Sequence, residues 1–499
     1  MDLALNMATS YASPAELGNT AAAADKTKEL KGLAIKLVVI YAFFLSSRSF
    51  EILTQITGRN LFIMLVLSAI GLFLVFAKGT FTEAAKSPAG TLLLAFTGWA
   101  MVTLPFSSWR SASLGELVNT WSKSVAAYFI IVGLATSLPV VRKVYLALGW
   151  GAVASTLLIF KFGWYDGGRL TGFGSLANSN EVAFHLVVGL PFLLLVISRS
   201  KVAWKVGLSV IVLMALRLSL KTASRSGLIM LGVIFAVSFL RVSTGAKFKM
   251  AVVGVIALIV GIGSLSQDQM DRYATLFSSD DTSAAAQSAR LSQEERRHKL
   301  DEAIELTLTH PIFGVGMGAF IPSSTALEDS KGEKEVWIAP HNSYAQVSSE
   351  TGFLGVILFV SVLGYCFRSL LKLDKTAKRL GLTEVRGMAL CMLLSLCVMS
   401  IHFMFDAIAY QFYLPMIAGL STILINNSKP LIEAAEAQAE GNPIPAGSES
   451  PEAAAEMALA GAGTDVRNPK MLSGPLQTGR PPIPRSQNPY RFGRRRVDS

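Results

Sequence analysis

Apolar runs separated by short polar connectors fill most of this chain. Crossing a bilayer takes roughly 20 mostly apolar residues in a helix. Runs of that character recur near residues 33–45, 61–77, 89–104, 117–137, 140–160, 182–197, 202–218, 227–240, 250–265, 353–370, 388–403 and 408–425. The pattern predicts an all-α, polytopic membrane protein of about twelve transmembrane helices. One connector stands apart: residues 266–351, between the ninth and tenth runs, form a long polar insert with helix signals of its own. Loops of that length usually carry function or disorder, and the helix signals favour function. The predicted organisation is an N-terminal arm at 1–32, a membrane domain at 33–427 and a disordered tail at 428–499, rich in Ala, Glu, Gly and Pro. Arg491, Arg494, Arg495 and Arg496 in the tail could touch anionic lipid or a partner.

Charge decides the orientation. Only 16% of the residues are charged, against 52% hydrophobic, a deficit that points to lipid as the solvent. No small-residue cleavage site follows the first run, so it reads as a span and not as a removable signal. Alternate connectors are basic: Lys78 and Lys86, Arg142 and Lys143, Arg199 to Lys205, Arg241 to Lys249, and Arg368 to Arg379. The arm adds Lys26, Lys28 and Lys31. By the positive-inside rule these connectors and both termini are cytoplasmic, and the insert is periplasmic in a bacterial inner membrane. The net charge of +11 thus orients helices and does not signal nucleic acid. Cys366, Cys391 and Cys397 lie in apolar runs without metal-ligand spacing and read as small buried hydrophobes.

The insert holds the candidate chemistry. Ser292 with Glu295 is a capping-box pattern, so a helix is expected from there to His310, before Pro311. Arg296, Leu300, Ile304 and Leu308 then recur at steps of four, which predicts a packed apolar stripe headed by Arg296. Arg297 lies off that stripe, with Asp301 as a surface partner. GVGMG, from Gly314 to Gly318, lacks the Lys-Ser/Thr ending of a P-loop and the frame of a Rossmann fingerprint, and is expected to be a tight turn. In PHNSYAQ, from Pro340, Ser343 and Gln346 predict a second cap, with His341 just before a helix N-terminus whose positive end would hold the imidazole neutral. Arg225 heads the eighth run, a position that also suits an interfacial anchor. Asn178 and Asn180 head the sixth and suit helix caps. His185 and His402 carry no assigned role, and Asp406 reads equally as a cap or as a functional acid.

The stretches HNSYAQVSSETGFLG and HPIFGVGMGAF, the arginine upstream of that HP, GSLANSNEVAFHLVVGLP and TASRSG together resemble the O-antigen ligase and polymerase superfamily. The resemblance covers roughly residues 33–427 and departs at Leu300, where the family often has Trp. It implies a glycosyltransferase that moves a glycan from undecaprenyl diphosphate to an acceptor hydroxyl at the periplasmic face. His341 would be the base. Arg225 and Arg296 would hold the donor diphosphate, with Arg297 a rival for the second place, and Asn342, Asn178 and Asn180 would support the site. Inversion at the anomeric carbon is an expectation from the family.

An enzyme outside the cytoplasm has no nucleotide donor, so a membrane-bound lipid diphosphate is a fitting activated substrate. Two guanidinium groups match its oxygens. No cofactor is expected. The dense acids Asp280 and Asp281 lack metal-site spacing, which predicts metal-independent transfer. The acceptor would be lipid A core for a ligase, or a growing polysaccharide for an O-antigen or exopolysaccharide polymerase; transfer to protein Ser or Thr is a related option. A transporter is the rival from another class, although matching halves with broken helices are not evident.

Overall fold

The structure, a computed structural model, describes residues 14–241, 244–275, 284–332 and 336–441. It is helical throughout except for one small hairpin. The first nine helices are α1 (Pro14–Ser47), α2 (Ser49–Thr57), α3 (Ile63–Ala77), α4 (Phe81–Lys86), α5 (Pro88–Thr103), α6 (Arg110–Glu116), α7 (Ser122–Leu134), α8 (Leu138–Phe162) and α9 (Ser179–Arg199). A π-helical turn, Leu117–Trp121, joins α6 to α7, and the hairpin β1 (Trp164–Asp166) and β2 (Arg169–Thr171) joins α8 to α9. Then come α10 (Val202–Lys221), α11 (Arg225–Arg241), α12 (Thr244–Ile262), α13 (Gln267–Ala274), α14 (Ala284–Thr309), α15 (Phe320–Lys331), α16 (Ser343–Arg379), α17 (Thr383–His402) and α18 (Tyr413–Gly441).

Each of the twelve apolar runs overlaps a helix, the last of them starting in the connector before α18. Among the described residues eight helical segments are long and apolar enough to cross a membrane, including α8, α9, α10, α16 and α17. The protein is therefore an all-α polytopic membrane protein. α3 is a shorter apolar helix of 15 residues.

The core lies where α1 packs on α8, α8 on α9, α9 on α10 and α17, α16 on α5 and α17, and α18 on α7. Residues buried there include Trp121, Tyr145, Phe184 and Phe359. The long insert is mostly helical, formed by α13, α14, α15 and the first turns of α16. Gly352 divides α16, with φ +71 and ψ −174. A Cβ there would run into the Ile312 carbonyl, and φ is left-handed, so only glycine fits. The tenth apolar run begins one residue later. The earlier turns, 343–351, belong to the insert and pack against α14.

Several expectations are corrected. Ser292 does not start its helix: α14 begins at Ala284, because the Ala-rich residues before Ser292 are strong helix formers. Ser343 does not cap α16. Asn342 does, its Oδ1 accepting from the Tyr344 and Ala345 amides at 3.0 Å each. The Ser343 hydroxyl is committed elsewhere, donating to the Asp406 carbonyl and accepting from the Ile408 amide.

The packed face of α14 is Lys299, Glu302, Ala303, Leu306 and Thr307, while Ile304 and Leu308 are exposed. Steps of four overrun a 3.6-residue turn by about 40° each, so Ile304 and Leu308 rotate out while Ala303 and Thr307 stay in line with Arg296. No ion pair joins Arg297 to Asp301 among the described residues.

The arm and the first span are one helix from Pro14. At the other end α18 continues past the expected boundary at 427 to Gly441, with Leu431 and Ala435 buried against the bundle. The Ala- and Glu-rich sequence taken as tail favours helix up to that point. The four tail arginines, and Asp280 and Asp281, lie outside the described residues.

Candidate functional site

At the end of the bundle that carries the insert, a cavity of about 430 Å³ opens between the α10–α11 turn, α13, α14, the segment before α16 and the connector after α17. Arg225, Arg296, Arg297, His341, Asn342 and Asn180 all line it. Two residues that sequence reasoning passed over, Arg169 and Arg272, line it as well.

Each arginine is delivered by a distinct local structure. The chain turns from α10 to α11 through Ala223, whose φ of +47 is strained for a residue with a Cβ. Arg225 is the first residue of α11, and its Nη1 donates to Gln293 Oε1 at 3.1 Å, tying that helix to α14. Arg169 leaves the hairpin. Its Nε donates to the Thr222 carbonyl at 3.0 Å and its Nη2 to Asn180 Oδ1 at 3.0 Å. Asn180 also accepts from the Ser224 hydroxyl at 2.8 Å, so it braces the arginine-bearing turn. Asn178 caps α9 by accepting from the Asn180 amide; it does not line the cavity.

Arg272 sits on α13, which begins with a complete capping box between Ser266 and Gln269. Gln269 donates to the Gly168 and Lys221 carbonyls, and the Tyr273 hydroxyl donates to the Leu220 carbonyl, so α13 is sewn onto the hairpin and the end of α10. Two sequence signals could have found these residues: the capping box and the Asp-Gly-Gly hairpin turn, whose glycines take φ +52 and +74.

The cluster is strongly electropositive. Burial, then Arg272 and Arg296, push Arg169 down to about 10. Burial, then Arg296, likewise lower Arg272, and burial lowers Arg296. The Nε atoms of Arg272 and Arg296 are buried without a hydrogen-bond partner. Holding like charges together with donors unspent is costly unless an anion joins them. Arg297 is exposed at the rim.

His341 faces this field with φ +48, one of four non-glycine residues of positive φ among the described residues. Ser343, two residues on, is stitched to the connector 403–412: its amide donates to the Phe403 carbonyl at 2.7 Å. Asp406 on that connector stands 3.9 Å from His341 Nδ1 and 3.5 Å from His402 Nε2. His341 is held down to about 4 by burial and then by Arg296. The free imidazole is neutral, with Nδ1 toward a carboxylate.

The glycine-rich GVGMG segment has backbone donors met from within the protein. The carboxylate of Glu350 accepts from the Gly318 amide at 2.8 Å and the Phe320 amide at 3.1 Å, filling the turn from within. The tight-turn expectation agrees with its three left-handed glycines.

Folding also gathers His298, Glu302 and Glu328, a grouping that sequence spacing did not reveal. The buried ammonium of Lys299 lies between the two acids, 2.7 Å from Glu328 and 3.0 Å from Glu302, and donates to Ser324. The protein thus supplies its own cation there, joining α14 to α15.

No curated protein matches the chain. Residues 210–360 match the family model of O-antigen ligase, which puts this region in the superfamily its motifs resemble. The matched stretch contains Arg225, Arg272, Arg296, Arg297, His341 and Asn342; Arg169, Asn180 and Asp406 lie outside it.

Proposed function

From the O-antigen ligase match over residues 210–360 as premise, we propose that the protein transfers a glycan from undecaprenyl diphosphate to an acceptor hydroxyl, with inversion and without a metal, on the periplasmic face of the inner membrane. The observation that carries this reading is the shared cavity: half-buried guanidinium groups, two of them with a buried unpartnered Nε, beside a neutral imidazole. A diphosphate supplies the anionic oxygens that such an array needs.

In the step, the acceptor oxygen forms a bond to the anomeric carbon as the bond from that carbon to the diphosphate breaks. His341 Nε2 takes the hydroxyl proton, and undecaprenyl diphosphate departs with the bonding pair. Arg225, Arg272 and Arg296 stabilise the charge that develops on the leaving oxygens. Donor binding also brings negative charge to Arg296, which with burial depresses the imidazole, so His341 becomes a stronger base once substrate is present. Asn180 and Asn342 act by holding Arg169 and the turn after His341 in place.

The test is a deletion strain complemented with wild type or His341→Ala. Full-length O-antigen left unattached to lipid A core identifies a ligase; single-repeat lipopolysaccharide identifies a polymerase. His341→Ala should reproduce the deletion with the protein still in the membrane. Normal polysaccharide from that variant would refute the assignment.

A further inference from the structure

A second cavity, of about 460 Å³, lies at the same end of the bundle on the other flank of the connector 403–412. Asp406 of that connector faces His341, and Gln411 and Phe412 line the second cavity. Its walls come from the end of α1, the α2–α3 link, the start of α3 and the start of α7. We propose that this cavity holds the phosphorylated headgroup of the acceptor lipid, an inference that rests on the transferase reading.

Four features support that occupant. The first is charge. Arg48 lines the cavity at 7% exposure, with a buried Nε that has no hydrogen-bond partner. Glu51, at 2.7 Å, offsets the Arg48 charge, which leaves exposed Lys123 on the opposite wall as the net excess. Lys123 follows the π-turn inside the helical segment Arg110–Leu134, so its ammonium is carried by a largely apolar span.

The second is neutral donors: Asn60, Asn119 and Gln411 face the same space, as a sugar phosphate requires. The third is the rim, where Leu61, Phe62 and Leu65 are all exposed apolar residues suited to acyl chains.

The fourth is backbone strain. The four described non-glycine residues with positive φ divide evenly between the cavities, Ala223 and His341 lining the first, Arg48 and Phe62 the second. The π-turn Leu117–Trp121 adds Asn119 and Thr120 to the same wall. Strain and π-turns concentrate at binding sites because something must repay their cost. A group transfer needs two substrates, and this largely apolar cavity with its few polar groups lies across one connector from the arginine-lined one.

The test uses full-length protein with a photo-reactive phenylalanine analogue at Leu65, in phosphatidylcholine nanodiscs doped with lipid A or, separately, with phosphatidylglycerol. Lipid A adducts should exceed its share of the bilayer, and Lys123→Glu should cut their yield about tenfold through loss of one charge-assisted contact. The same variant should raise the acceptor KM more than the donor KM. Lys123 is exposed, so an unchanged melting temperature checks its fold. Adducts in proportion to bilayer composition and indifferent to Lys123→Glu would overturn the proposal. Equal enrichment of phosphatidylglycerol would overturn the acceptor assignment. Selective lipid A adducts in a protein that transfers no sugar would leave this cavity standing and remove the transferase reading instead.

Discussion

Asp406 and His341 approach to 3.9 Å although they come from different connectors, because Ser343 clamps one connector to the other. The contact runs to Nδ1 and leaves Nε2 for the cavity. On the proposed reading, a carboxylate moving into hydrogen-bond range there would favour the Nδ1–H tautomer and steady the imidazolium formed during proton transfer. Replacing it should therefore act through the histidine. Asp406→Asn is expected to lower transfer about tenfold or more at saturating donor, within the range of positioned acid–base effects, and to move the acid limb of the pH profile. A uniform loss with an unmoved profile would reduce Asp406 to a structural cap.

The pH dependence has a definite sign. His341 is held at about 4 in the free protein, and only the neutral form accepts a proton. Activity should then fall on the acid side, and kcat/KM, which reports the free enzyme, should hold down to about that pH. Bound diphosphate opposes the depression caused by Arg296, so the acid limb of kcat should lie at higher pH than that of kcat/KM. Coincident limbs would mean that the donor does not sit beside the imidazole.

The arginines divide by burial. Arg225→Lys and Arg296→Lys keep the charge but lose the planar fork, and each should cost about tenfold or more in transfer with membrane abundance unchanged. Arg272→Lys belongs with them. Arg297→Ala, at the exposed rim, should fall within about threefold of wild type, as exposed charge pairs contribute little. A larger loss for Arg297 than for Arg296 would exchange their roles and show that the register of α14 in the donor complex differs from the one described.

The apolar runs were legible because each spans a helix, and the motif residues because turn and cap chemistry is local. What sequence could not supply was convergence. Arg169 and Arg272 lie in segments that read as a turn and a short helix, and they reach the cavity only because α13 folds back on the hairpin. The stripe from Arg296 to Leu308 misled for a related reason. Two exposed apolar residues fitted a step of four, while the true buried face carries Lys299, Glu302 and Thr307, polar residues that a hydrophobic pattern discards. The cap at Ser343 failed because a tertiary partner, the 403–412 connector, claimed the hydroxyl first.

That polar face gives the last prediction. Lys299 is 1% exposed and pairs with Glu302 and Glu328, which are also buried. Removing the ammonium leaves two carboxylates facing each other at the joint between α14 and α15. Breaking such a pair from one side typically costs about 3–5 kcal/mol. Lys299→Ala should therefore loosen α15 from α14, speeding protease cleavage of the insert and lowering transfer, since α14 also carries Arg296. A triple change to apolar residues, Lys299→Met with Glu302→Leu and Glu328→Leu, removes the unpaired charges together and should recover most of the protease resistance. If the triple variant is as labile as Lys299→Ala, the network does more than join two helices. If Lys299→Ala alone is as resistant as wild type, the joint lies elsewhere in the insert.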